Sequence, residues 1–128
     1  MTPEAADHLR KARTCLDRAR IILEAEVPDV AAREAYLAGF HAAQALIVER
    51  TRREAKTHKG THTEFARLTR GEPRIDAELR QFLPKSYDMK ALADYGVGPY
   101  VDVSDERASA AIQTAARFIE CIAGLLAT

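Results

Sequence analysis

Residues 29–52 read "DVAAREAYLAGFHAAQALIVERTR", and the reading of this stretch decides the fold. Tyr36, Phe40, Ala43 and Ile47 recur at helical spacing, with Leu37 and Val48 flanking them. Ala35, Ala38, Gly39, Ala42 and Ala45 leave the other faces so small that neighbouring helices can approach closely. A helix that is apolar or small nearly all round belongs at the centre of a helical domain. Two polar residues on it, His41 and Gln44, stand one turn apart. They fit a polar pair satisfied inside the core, ahead of a pair that binds something.

Upstream, Val27-Pro28-Asp29 separates this helix from an earlier one, because proline disfavours helical geometry in the residue before it and itself starts a helix well. The earlier helix opens with Thr2-Pro3-Glu4, an N-cap, a proline in the first turn and a carboxylate near the positive end of the helix dipole. Ala5, Leu9, Ala12, Leu16, Ala19 and Leu23 then alternate in steps of four and three. Downstream, the pattern predicts a short helix from about Thr61 to Thr69, closed by Gly71-Glu72-Pro73. Ile75, Leu79, Phe82, Met89 and Leu92 predict another over 75–95, with a kink or break at Pro84. Gly96-Val97-Gly98-Pro99 is a loop, and Ser104 with Asp105 and Glu106 behind it starts a last helix on Ala108, Ile112, Ala115, Ile119, Ile122 and Leu126. The expectation is an all-α, antiparallel four-helix bundle with one short extra helix, a single domain over residues 1–128.

The totals agree: 128 residues, 47% apolar and 30% charged, suit one domain with a real core. Nineteen basic and 19 acidic residues cancel, so no global charge argues for nucleic acid or an anionic membrane. There is no signal-peptide pattern and no run of about 18 apolar residues, which leads to the expectation of a cytoplasmic protein with no membrane segment. Cys15 and Cys121 lie in helical segments without metal-ligand spacing, and are expected as reduced, packed thiols.

Local charge is less even. Arg50, Arg52, Arg53, Lys56, Lys59, Arg67 and Arg70 face only Glu54 and Glu64 across residues 50–70. Arg52, Arg53, Lys56 and Lys59 are therefore candidates for contact with RNA or nucleotide phosphate. In the same stretch His58 and His62 have a spacing that ligates a metal only if both share one helix face. Gly60 between them argues for a turn, no third ligand is evident, and the expectation is no metal. No phosphate loop, nucleophile elbow, His-Glu-x-x-His, Cys-x-x-Cys or Glu-x-x-His pattern occurs, so no cofactor is expected.

Three segments together carry a resemblance: Phe40-His41-Ala42-Ala43, Lys56-Thr57-His58-x-Gly60 and Ala93-Asp94-Tyr95, the last before a helix that opens "VSDERA". In this combination the chain resembles the HEPN family, the higher eukaryote and prokaryote nucleotide-binding domain, and within it the short stand-alone prokaryotic members. The resemblance implies a helical bundle that dimerises. It also implies a minimal nucleotidyltransferase as partner in a toxin–antitoxin-like pair, and RNA or nucleotide as ligand.

Toxic members of the family are metal-independent RNases with an Arg-x(4–6)-His motif near the start of the final helical segment. The histidine moves a proton and the arginine stabilises charge on the phosphate. Here Arg53 and Arg52 precede His58 by suitable intervals. With 14 arginines and four histidines, however, roughly one such match is expected by chance, and it lies too early in the chain. At the expected place stand Lys90 and Asp94, with Tyr95 beside them in the position of the tyrosine that some nucleotidyltransferases adenylylate. Lysine lacks the bidentate fork of arginine, and an aspartate near its ordinary pKa is a poor proton shuttle at neutral pH. Lys90 and Asp94 are also spaced for a plain intrahelical ion pair.

The resemblance thus implies a binding protein with a degenerate RNase motif. The alternatives are an RNase using Lys90 and Asp94, or His58, and a nucleotide-binding module without nuclease activity.

Overall fold

The computed structural model describes residues 1–95 and 103–127, apart from the side chains of residues 92, 93 and 95. Five helices follow one another: α1 (Pro3–Glu24), α2 (Pro28–Thr51), α3 (His58–Leu68), α4 (Ala77–Tyr95) and α5 (Asp105–Leu126). Among the described residues there is no strand, and the arrangement is the all-α bundle of four long helices and a short one. The loop expected at 96–99 lies outside the described residues.

The helix starts follow the cap chemistry. Thr2 Oγ1 accepts from Ala5 N–H at 3.1 Å at the head of α1, and Ser104 Oγ accepts from Arg107 N–H at 3.1 Å at the head of α5. The short helix begins earlier than the sequence predicts. Thr57, not Thr61, is its N-cap, with Oγ1 taking the Gly60 N–H at 2.9 Å. Gly60 is thus a first-turn residue, and a Cβ there would stand 2.7 Å from the capping oxygen. The turn expected between His58 and His62 is therefore replaced by helix, which puts both imidazoles on one face. Pro84 does not end α4 either. The helix is continuous through it, Pro84 is exposed, and in the same turn the Ser86 hydroxyl donates to the Phe82 carbonyl at 2.5 Å.

Helix α2 is the centre, packed against all four others. Its alanines at 31, 32, 35, 38, 42, 43 and 45 have no solvent exposure. At Gly39 the Phe82 ring lies directly on the backbone, so that an added Cβ would overlap Cε2 and stand 2.9 Å from Cδ2. Gly39→Ala should therefore destabilise. Overpacking costs about 1–3 kcal/mol, offset by roughly 1 kcal/mol of helix propensity, for an expected net loss of up to about 2 kcal/mol in urea unfolding. A more stable variant would mean that Phe82 moves aside freely.

Helix α5 is by length and composition long and apolar enough to cross a membrane, a test that core helices also pass. Its apolar residues Ala108, Ile112, Ala115, Phe118, Ile119 and Ile122 are buried in the bundle core. The Phe118 ring meets Phe65 of α3 at 5.2 Å and Phe82 of α4 at 5.5 Å between centroids. Cys15 and Cys121 are free thiols.

Candidate functional site: a polar cluster between α2, α3 and α4

The apolar face of α2 is interrupted at one place by a polar atom that cannot reach water. Tyr36 is 0% exposed, and its hydroxyl finds two partners on α3: His58 Nδ1 at 2.7 Å and His62 Nε2 at 2.8 Å. The i,i+4 spacing of the histidines on the Thr57-capped helix makes this possible. Tyr87 of α4 covers the group, its ring centroid 5.4 Å from Tyr36, 5.3 Å from His58 and 5.7 Å from His62, while Phe40 packs on His58 at 4.6 Å.

One turn further along α4, Lys90 Nζ lies 5.7 Å over the Tyr87 ring and 2.6 Å from Asp94 Oδ2. The other carboxylate oxygen of Asp94 accepts from Arg33 Nε of α2 at 2.7 Å. Arg33, three residues before Tyr36, thus ties the ion cluster to the histidine cluster through α2.

The electrostatics follow from these neighbours. Burial, then the adjacent Tyr87, pushes the Tyr36 phenol far above its ordinary range, so it is neutral. His58 is held below the ordinary imidazole value by burial and by Lys90, with Asp94 opposing. His62 is lowered by burial and by His58. The hydrogen bond from Lys90, opposed by burial and then reinforced by Arg33, keeps the Asp94 carboxyl below the usual carboxylate range. Both imidazoles are therefore neutral at pH 7, and Asp94 is a carboxylate.

A stability prediction follows for the histidines. His58 and His62, together with His41, which burial lowers as well, titrate below their unfolded value of about 6.5. As pH falls through about 6.5 the unfolded chain binds protons before the folded one, so stability complete above that value is lost on acidification. The limit is about 1.4 kcal/mol per pH unit for each group. Urea unfolding should give a lower free energy at pH 5.5 than at 7.5, with a smaller difference in His62→Gln. Equal stability at the two pH values would contradict the assignment.

Of the residues singled out from sequence, Lys90, Asp94 and His58 come together here. The Lys90–Asp94 pair is the expected intrahelical ion pair, with Arg33 added. The side chain of Tyr95, the last residue of α4, lies outside the described residues. Arg52, Arg53, Lys56 and Lys59 do not join: no hydrogen bond or ion pair links them to the cluster among the described residues. Arg52 pairs with Glu49 at 3.8 Å, and Arg53 lines a separate surface groove of about 490 Å3 with Glu54, Glu64 and Arg67. His41 Nδ1 and Gln44 Oε1 are 2.8 Å apart, the satisfied pair.

The members that sequence reasoning missed are Arg33, Tyr36, His62 as a partner of Tyr36, and Tyr87. The signal available for them was the Arg33/Tyr36 step on an otherwise small-residue helix and the Tyr87/Lys90/Asp94 ladder on α4. Among the described residues no group of three or more His, Cys, Asp or Glu gathers to hold a metal.

A helical bundle whose central helix carries a buried phenol, clamped by two imidazoles and flanked by an Arg–Asp–Lys ion cluster, defines a domain in which polar chemistry sits at the junction of three helices. The chain belongs to the HEPN domain family, which matches residues 5–125. It is 30% identical to a UPF0332 protein of Gloeobacter violaceus over 127 residues, 99% of each chain. It is 28% identical to a UPF0332 protein of Thermotoga maritima over 117 residues, 91% of this chain and 86% of the other.

Proposed function

We propose that the protein works mainly by binding, as a dimeric HEPN partner of a minimal nucleotidyltransferase in a toxin–antitoxin-like pair, with no RNA cleavage at Lys90 and Asp94. The observation that carries this is the ion cluster. At the place where RNA cleavage needs a free cation and a proton-transfer group, Asp94 is paired with Lys90 at 2.6 Å and with Arg33 at 2.7 Å. A carboxylate held below its usual range by two cations does not take and return protons at neutral pH. Lys90 is only 13% exposed and is engaged through its ammonium, so it does not present a free charge to a phosphate.

The test is co-expression with a minimal nucleotidyltransferase, followed by size-exclusion chromatography with light scattering. A dimer alone and a stable complex together are expected, both unaffected by Asp94→Asn. A monomer, or no complex, would remove the reading.

A further inference from the structure

Between α4 and α5 the surface carries a trough of about 240 Å3. Its walls are apolar or small: Phe82, Ser86 and Met89 of α4 meet Ala110, Ala111 and Thr114 of α5. On α5 these residues and Arg107 recur at steps of three and four, so one helix face meets α4 with side chains too small to fill the space. On α4 the one large ring, Phe82, is 5% exposed and seated inward on Gly39 and Phe118, so it forms the floor. The hydroxyls of Ser86 and Thr114 donate to the Phe82 and Ala110 carbonyls of their own helices.

The charges on the rim are uneven. At one end Glu78 is held by Arg117 at 2.5 Å, and Arg117 also binds Asp76 at 2.6 Å. Lys85 and Arg107 are exposed, and neither side chain makes a hydrogen bond or ion pair among the described residues. Asp105 and Glu106, beside Arg107 in the chain, line a different groove on the α1 side, and Asp88 does not line the trough. An apolar trough rimmed by two cations without partners complements an apolar body that ends in an anion.

Its dimensions choose among such bodies. The lining runs over residues 78–89 of α4 and 107–114 of α5, about 16 and 10 Å at the helical rise. The volume divided by those lengths leaves a cross-section of about 15–24 Å2. A helix, about 10–12 Å across with its side chains, needs several times as much. A single extended chain fits, and at about 1.2 Å per bond a length of about 10 Å takes about eight carbons.

We propose that the α4–α5 trough is a binding site for a straight-chain carboxylate of about eight carbons, its chain along Phe82, Met89 and Ala111 and its carboxylate at the Lys85 and Arg107 rim. Met89, unbranched and adaptable, moulds to the chain. None of the lining residues belongs to the histidine or ion cluster. The site therefore goes beyond the binding role proposed above and fails independently of it.

The experiment is a proton–carbon NMR titration of the methyl groups of the folded full chain with sodium octanoate. Saturable shifts of the Met89, Ala110 and Ala111 methyls are expected, with a Kd on the order of 1 mM. Each methylene taken out of water raises affinity about 4-fold, so hexanoate should bind about 10-fold more weakly. An exposed ion pair contributes about 2–5-fold, so Lys85→Gln and Arg107→Gln should each weaken octanoate by that factor. Octylammonium, which meets both cations with the wrong sign, should bind at least about 10-fold more weakly. Ala110→Leu, at an exposed position, fills the trough without touching the core and should abolish the Met89 shift. No saturation, shifts centred on another face, octylammonium bound as tightly as octanoate, or unchanged affinity in Ala110→Leu or in the Lys85→Gln, Arg107→Gln double variant would each overturn the proposal. So would an acidic, leucine-bearing helical peptide that binds the same methyls more tightly than octanoate, since the trough would then belong to a protein partner.

Discussion

Tyr36→Ala is expected to lower the unfolding free energy by about 4–8 kcal/mol, measured by urea denaturation followed by circular dichroism. Truncating a fully buried aromatic costs about 3–5 kcal/mol for lost burial and the cavity that remains. Here the ring also touches Phe40, His58, His62 and Tyr87, so the cavity opens between three helices rather than against one. The lost hydroxyl adds to this, because His58 Nδ1 and His62 Nε2 are left without their shared partner, at about 1–3 kcal/mol for an unsatisfied buried group. Tyr36→Phe isolates that second part and should cost about 1–3 kcal/mol. Against a total of about 5–15 kcal/mol, the alanine variant is close to unfolding whereas the phenylalanine variant is folded. A Tyr36→Phe protein as stable as the wild type would mean that water replaces the phenol at both nitrogens.

The fold is legible in the sequence because packing and periodicity point the same way at each long helix. The stripe of Tyr36, Phe40, Ala43 and Ile47 reads as core and is core. Where the reading fails, one residue has two physical meanings. Gly60 signals a turn by composition, yet it serves inside the first turn of α3 because the Thr57 cap oxygen leaves no room for a Cβ. Pro84 signals a break, but on an exposed position of α4 the helix accommodates it.

The site is only half legible. Lys90–Asp94 and the His58/His62 spacing are local, and a single helix repeat exposes them. Arg33 and Tyr36 join them from 61 and 22–26 residues away along the chain, contacts that no local periodicity encodes. Tyr36 was hidden for a further reason. An aromatic on a core stripe is read for its ring, and the hydroxyl that makes it chemically interesting leaves no mark on the pattern. The basic run at 50–59 stands apart from this cluster: Arg52 pairs with Glu49, and Arg53 lines the separate groove with Glu64 and Arg67.

Phe118→Ala is expected to cost about 3–5 kcal/mol, and to disturb the site although the ring contacts of Phe118 are with Phe65 and Phe82. Its ring, 1% exposed, is the contact that α5 makes simultaneously with Phe65 of α3 and Phe82 of α4. Those two helices hold the two halves of the cluster: His58 and His62 on one, Tyr87, Lys90 and Asp94 on the other. Phe82 in turn rests on the bare backbone of Gly39, the point where α4 is set against α2. Removing the Phe118 ring frees Phe82 and Phe65 to move into the space, so both helices shift relative to Tyr36. The hydrogen bonds at 2.7 and 2.8 Å tolerate little of this. The expected signature is a loss of stability together with a rise of the His58 and His62 pKa values toward the ordinary one, read by NMR titration of the folded variant. Loss of stability with both histidines still titrating as in the wild type would show that the cluster is held by α2 and α3 alone, independently of the α5 core.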